Sequence, residues 1–292
     1  MEEYTSAVIM GVVVGVISRL LMLRTDYRSY PTYPHGHVIH IALGVIAAGL
    51  GSVAVPAFIE EDFTAVTFLG LAASQFRDVR NMERNTLQQL DNMELVPRGT
   101  AYIEGIAMVF EGRNYLVMLS SIVTTASTVF FGWQWGVIIG LVSLFVDKTF
   151  MSGKNVADIA KVKQGTVRME GQHLYVDDIY IMNVGLEDTR EKIKKNGVGM
   201  ILTPKNENGM VTLGNLGQRQ AILHDVATVL GVFRDAGEPS LVPLIKRSLE
   251  DGRLGIFLLP QMKNVEKIKG TIERVPVLES VYRKPLEAKV NK

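Results

Sequence analysis

Three of the five histidines in the sequence, His35, His37 and His40, fall close together, and one carboxylate, Glu104, stands in an otherwise apolar stretch. His37 and His40 are three residues apart and share a face if the segment is helical. Three imidazoles and a carboxylate have the donor set to bind a divalent metal and polarise water. Without a metal, a histidine and Glu104 can divide the roles of general acid and general base. These readings make Glu104, His37 and His40 the candidate catalytic residues, and His35, His37 and His40 the candidate metal ligands. The competing reading is an interfacial belt, in which the histidines and Tyr27, Tyr30 and Tyr33 lie at headgroup depth. Established intramembrane protease patterns are absent: there is no His-Glu-x-x-His, Gly-x-Gly-Asp or Gly-x-Ser-Gly, and no cysteine. Ser120 and Ser121 carry hydroxyls, but spacing assigns them no base, and hydroxyls in membrane helices usually bond to backbone or a neighbouring helix.

The elements that must position these residues are largely apolar. The 292-residue chain is 47% hydrophobic and 21% charged, with a mean hydropathy of +0.18. That excess excludes a disordered chain. The absence of cysteine excludes disulfides, thiol catalysis and Cys-ligated metals, and a net charge of +1 gives no nucleic-acid footprint. Residues 1–150 hold 9 Lys+Arg and 13 Asp+Glu, against 22 and 17 in residues 151–292. The pattern predicts a transmembrane helical domain over 1–150 and a soluble α+β domain over 151–292. Spans are expected near 4–23, 38–59 and 63–76, followed by a hairpin of two spans over 114–146 that turns at Gly132-Trp133-Gln134-Trp135-Gly136, because 33 uncharged residues would make a helix of about 50 Å. Glu2 and Glu3, in place of a basic leader region, favour a span over a signal peptide at the start. Arg and Lys fall in alternate loops, which places the N-terminus outside and the C-terminal domain in the cytoplasm. Residues 76–95 form an amphipathic helix, with Phe76, Val79, Met82, Leu87, Leu90 and Met93 on its apolar stripe.

Glu104 lies within residues 101–110, too short to cross a bilayer and apolar otherwise, as expected of a buried or re-entrant segment. A carboxylate there needs a partner, and Arg19, near the cytoplasmic end of the first span, matches it in depth for a structural ion pair. The wording Tyr102-Ile103-Glu104-Gly105-Ile106-Ala107 resembles the hexapeptide that names the YIEGIA protein family of endospore-forming bacteria, and the stretch Asp26 to His37 is similar as well. The resemblance implies a role in spore formation at a membrane of the developing spore or mother cell. It also implies an endopeptidase activity that sets the levels of other spore proteins, which would then be its substrates or regulators. No catalytic residue is carried over from the family. The alternative is a non-catalytic scaffold or spore-envelope assembly factor that recruits partners through its cytoplasmic domain.

In the second half, strands are expected at 174–176, 179–182, 198–202, 210–213, 254–259 and 277–281. Helices are expected at 187–196, 218–234, 240–250 and 265–274, giving an α+β sandwich. Gly214-Asn215-Leu216-Gly217 reads foremost as a strand-to-helix turn, and as an anion-holding loop only weakly.

Overall fold

The computed structural model describes residues 2–30, 34–151, 153–235, 238–239, 241–282 and 286. The chain divides into two compact units, Met1–Leu87 with Ile106–Gly153, and Gln88–Gly105 with Lys154–Lys292. A single cut near residue 150 therefore misses residues 88–105, which belong with the second unit.

The first unit is helical. Helix α1 (Thr5–Asp26) is followed by α2 (Pro34–Ile59), α3 (Phe63–Ser74), α4 (Phe76–Asp91), α5 (Thr100–Phe131) and α6 (Trp133–Thr149). Three of these, α1, residues 36–59 of α2, and α5, are long and apolar enough to cross a membrane. One face of α1 is buried, at Ala7, Gly11, Gly15, Ser18, Arg19, Met22 and Asp26. Ile9, Val13, Ile17 and Leu20 are exposed on its other side. Water does not tolerate such a row of apolar side chains, whereas lipid does. Met22, Ala47, Ala48, Phe76, Val117 and Met118 pack as one core. The chain breaks at Gly132, whose φ of +89° a residue with a side chain adopts only under strain, so α5 ends where the aromatic turn was expected. Asp62 caps α3, accepting from the Ala65 amide at 2.9 Å.

Two expectations are corrected here. Residues 101–110, expected as a separate buried or re-entrant segment, are part of α5, which starts at Thr100 and runs unbroken through them for 32 residues. The amphipathic helix ends at Asp91, and its buried side comprises Phe76, Glu83, Leu87 and Asp91, with Met82 and Met93 exposed. These four positions recur at seven and four residues, so they form one helical stripe in which two members are charged.

The second unit is a layered α+β domain. After a single turn of helix, α7 (Val156–Ile159), come β1 (Ala160–Gly165), β2 (Val167–Glu170), β3 (His173–Val176), β4 (Ile179–Asn183), α8 (Glu187–Asn196), β5 (Val198–Pro204), α9 (Glu207–Leu213) and α10 (Leu216–Leu230). The short strands β6 (Arg234–Asp235) and β7 (Glu238–Pro239), then β8 (Leu244–Arg247), β9 (Leu254–Leu258) and α11 (Val265–Arg274), complete it. The main sheet is antiparallel in the order β1-β5-β9-β8, and β2-β3-β4 is a separate meander. Leu174, Val176 and Ile181 of the meander share a core with Ile201 and Phe257 of the main sheet. Strand alternation turns Met200, Leu202 and Ile256 to the opposite face, on the side of α10 and α11.

Three local expectations fail for physical reasons. Residues 210–213 are helical, because the Asn206 side chain accepts from the Gly209 amide at 2.9 Å and starts α9. Of the helix expected over 240–250, Ser240 lies outside the described residues, and Leu244–Arg247 form the edge strand β8, paired to β9. Residues 277–281 do not join the sheet; Glu279–Val281 form a single 3-10 turn.

Candidate functional site

Asp26, the last residue of α1, sits two turns after Arg19 on the same buried face. Its Oδ2 accepts from Arg19 Nη1 at 3.1 Å, and its Oδ1 from Arg113 Nε of α5 at 3.2 Å. All three side chains are buried, Arg19 with 1% of its surface exposed. One carboxylate between two guanidiniums gives each buried cation an anionic neighbour, while the second Nη of Arg19 is buried without a hydrogen-bond partner. The Arg19 stem passes Gly44, where a Cβ would overlap its Cγ. Its guanidinium lies 5.4 Å from the centre of the Phe110 ring, and its Nε donates to the His40 carbonyl at 3.3 Å. Arg19 thus finds its carboxylate on its own helix, in Asp26, where sequence reasoning offered Glu104.

The imidazole of His40 is fully buried. Its Nε2 lies 3.3 Å from Glu83 Oε1 of α4, and its Nδ1 3.5 Å from the Tyr27 hydroxyl. Tyr30 meets the ring edge-on at 5.0 Å, and Phe110 lies at 4.7 Å. An ionised Glu83 only accepts, so it selects the tautomer protonated at Nε2 and leaves Nδ1 to accept from Tyr27. Burial pushes the Tyr27 phenol up, against the pull of Arg19, which keeps it a donor. Arg80 of α4 also pairs with Glu111 of α5 at 3.0 Å.

The sequence-predicted residues are only partly brought together. His37 is exposed, and its ring lies 4.0 Å from that of Tyr27, on the side of α2 that also carries His40. The side chain of His35, and Tyr33, lie outside the described residues. Among the described residues, no three His, Cys, Asp or Glu side chains group as metal ligands. The carboxylate beside His40 is Glu83; Glu104, half-buried, belongs to the second compact unit. The other five residues of the hexapeptide, Tyr102, Ile103, Gly105, Ile106 and Ala107, are buried. Within the second unit, a Cβ on Gly105 would crowd Ser280, and Gly217 lies against the Ala101–Tyr102 backbone. The wording of the hexapeptide is therefore first a matter of packing.

A second polar cluster was invisible to spacing. Asp147 of α6 is buried and accepts at Oδ2 from Ser18 Oγ at 2.5 Å and from Ser120 Oγ at 2.8 Å. Ser120 therefore has a carboxylate partner, whereas Ser121, fully buried, faces Gly15. Asp26, Glu83, Arg113 and Asp147 were all missed. The two-turn spacing of Arg19 and Asp26, and the register of Glu83 with Phe76 and Leu87, were the signals that could have found them.

The sequence pattern described as YIEGIA protein matches residues 7–288. The chain is 54% identical over 287 residues to the uncharacterized protein YphB of Bacillus subtilis (strain 168), covering 98% of this chain and 97% of that one. No solved structure matches. With a hexapeptide buried in five of its six positions and a match over nearly its whole length, this chain belongs to the YIEGIA family.

Proposed function

We propose that this is an integral membrane protein acting in spore formation, and that it is an endopeptidase using His40 as its acid–base group. The carrying observation is the 3.3 Å contact between buried His40 Nε2 and Glu83 Oε1. A carboxylate on one ring nitrogen orients an imidazole and stabilises its charged form, which suits the other nitrogen to accept a proton from water. Tyr27, 3.5 Å from that nitrogen, would have to swing aside to admit substrate. Family resemblance supplies the substrate class, other spore proteins. In this reading α3 and α6 complete five spans, the N-terminus is outside, and the α+β domain is cytoplasmic. The test is cleavage of spore-coat extract by detergent-purified protein, with and without chelator. His40→Gln and Glu83→Gln should abolish or strongly reduce cleavage at unchanged protein level. Full activity in both variants would overturn the assignment, and inhibition by chelator would restore a metal to the reading.

A second reading, a partner-recruiting scaffold, is favoured by one surface. On the outer face of the β2-β3-β4 meander, Tyr175 and Tyr180 lie 5.6 Å apart, His173 stands 5.8 Å from Tyr180, and the Arg168 guanidinium is 5.1 Å from the Tyr175 ring. Tyr180 is exposed and Tyr175 half-buried, and surface tyrosines beside an arginine are among the side chains that dominate protein contacts. A Tyr175→Ala/Tyr180→Ala variant that loses spore function but keeps cleavage would favour this reading.

A further inference from the structure

Between α10 and α11 the second unit holds a cavity of about 400 Å³, lined by His224, Asp225 and Val229 of α10, Gly270 of α11, Val275 just beyond it, and Arg98 from the 88–105 segment. Ligand pockets run from about 300 to 1,000 Å³, so this one suits a small molecule. His224 is buried, and its Nδ1 stands 2.6 Å from the Val96 carbonyl, which can only accept. In the neutral ring Nδ1 therefore carries the proton, and Nε2 is left as an acceptor with the Thr228 hydroxyl at a long 3.4 Å. Arg98 Nη2 and Asp225 Oδ1 are 3.9 Å apart, too far for a hydrogen bond. Among the described residues the Asp225 carboxylate accepts no hydrogen bond. Burial pushes its carboxyl above the usual range, against the pull of Arg98 and His224. Glu266, Lys267 and Arg274 also line the cavity but are exposed, so water already carries their charges. The Arg98 and Asp225 side chains, 15% and 29% exposed, are the charges set into its wall. Gly270 lies in the interior of α11, and a Cβ built on it meets nothing within 4 Å. Alanine would favour the helix there, so the glycine keeps space open at a cost to α11.

The wall thus offers two acceptors from neighbouring residues of α10, the Asp225 carboxylate and His224 Nε2, and a guanidinium facing the carboxylate. An ammonium group needs acceptors, and a carboxylate fits the fork of a guanidinium. An ion pair held open at 3.9 Å leaves both of its members with hydrogen-bonding capacity for a ligand that carries one group of each kind. An α-amino acid carries both on one carbon. We infer that this cavity binds a free α-amino acid, with its ammonium on Asp225 and His224 and its carboxylate on Arg98. Val229 and Val275 supply apolar wall for the amino-acid side chain, and the space left open at Gly270 receives it. The site belongs wholly to the α+β domain and does not depend on His40.

The experiment is calorimetric titration of the full-length protein in detergent with each of the proteinogenic L-amino acids in turn. Saturable binding of at least one is expected. The amine that lacks its carboxylate and the acid that lacks its ammonium should each bind about tenfold more weakly or worse, because each gives up a charge-assisted contact. Asp225→Asn and Arg98→Gln should weaken binding of the amino acid by a similar factor. Gly270→Leu should abolish binding at an unchanged or higher melting temperature, because the new side chain fills the cavity and leucine is the better helix former. No saturable binding of any amino acid, equally tight binding of either analogue, or binding unchanged in Gly270→Leu and Asp225→Asn would overturn the inference. The analogue titrations use the unaltered chain, so they decide the question even where a variant does not fold.

Discussion

His40 and Glu83, 43 residues apart in sequence, come from different helices and meet with their Nε2 and Oε1 atoms 3.3 Å apart, both buried. The pair ties α2 to α4, the helix that a purely apolar reading would have left loosely attached. Replacing Glu83 by Gln keeps an acceptor and should cost roughly 1 kcal/mol, whereas Glu83→Leu leaves the imidazole N–H buried and unsatisfied and should cost about 1–3 kcal/mol. Thermal unfolding in detergent of the two variants and of a His40→Leu/Glu83→Leu double variant checks this. The double variant should recover part of the single loss, because it leaves neither group unpaired.

Asp26 answers for two arginines at once. Asp26→Asn should therefore lower stability and protein level strongly, by about 3–5 kcal/mol, since it removes the carboxylate that Arg19 meets in the interior and weakens the hold on Arg113. Adding Arg113→Gln should recover part of the loss. Glu104→Gln should leave the Arg19→Leu variant no better off, because the Arg19 partner is Asp26. Rescue of Arg19→Leu by Glu104→Gln, read as restored protein level, would show that those two are paired after all.

Gly44 makes room for the stem of Arg19. Gly44→Ala should push that side chain out of reach of Asp26 and cost about 1–3 kcal/mol through overpacking. Gly49, where an added Cβ meets nothing within 4 Å, is the control. Gly49→Ala should be neutral or mildly stabilising, because alanine has the better helix propensity. Comparing melting temperatures of the two variants settles the point.

The α+β domain offers a pH test. Arg253 binds Asp178 through both nitrogens, at 3.1 and 2.6 Å, and this holds the Asp178 carboxyl below its ordinary range. A carboxylate whose folded pKa is depressed contributes stability above its unfolded value, near 3.9, and that contribution is lost as the pH falls through the lowered value. In Arg253→Gln, carbon NMR of the Asp178 carboxyl should show its midpoint returning upward. Asp178 is exposed, so the matching change in stability is small and confined to acid pH.

Much of the architecture was legible in the sequence because long apolar runs have few alternatives: α1, α2 and the break at Gly132 follow from length and one glycine. The site was less so. Glu83 and Asp91 stand on the buried stripe of α4, where a rule that sends charges to the outside misassigns both. His40 was read from its spacing to His37, yet its working partner comes from another helix, and only tertiary packing could name it. In the second half, Met210-Val211-Thr212-Leu213 has the β-branched composition of a strand, but the Asn206 cap decides for helix. Leu244–Arg247, bounded by Pro243, becomes a strand only because β9 offers an open edge.

Residues 88–105 have a consequence for anyone who would separate the halves of this protein. His224 Nδ1 lies 2.6 Å from the Val96 carbonyl, and Tyr102 and Ile103 are buried. The Arg98 and Gly99 amides both donate to Asp91 at 2.8 Å. An excised fragment that begins at residue 154 lacks all of these, so it exposes an apolar floor and leaves a buried imidazole unmatched, and it should aggregate on expression. The same fragment carrying residues 88–105 on a flexible tether should be monodisperse. The α+β unit is therefore encoded in two pieces, and α5, long and apolar enough to cross a membrane, already begins within the first.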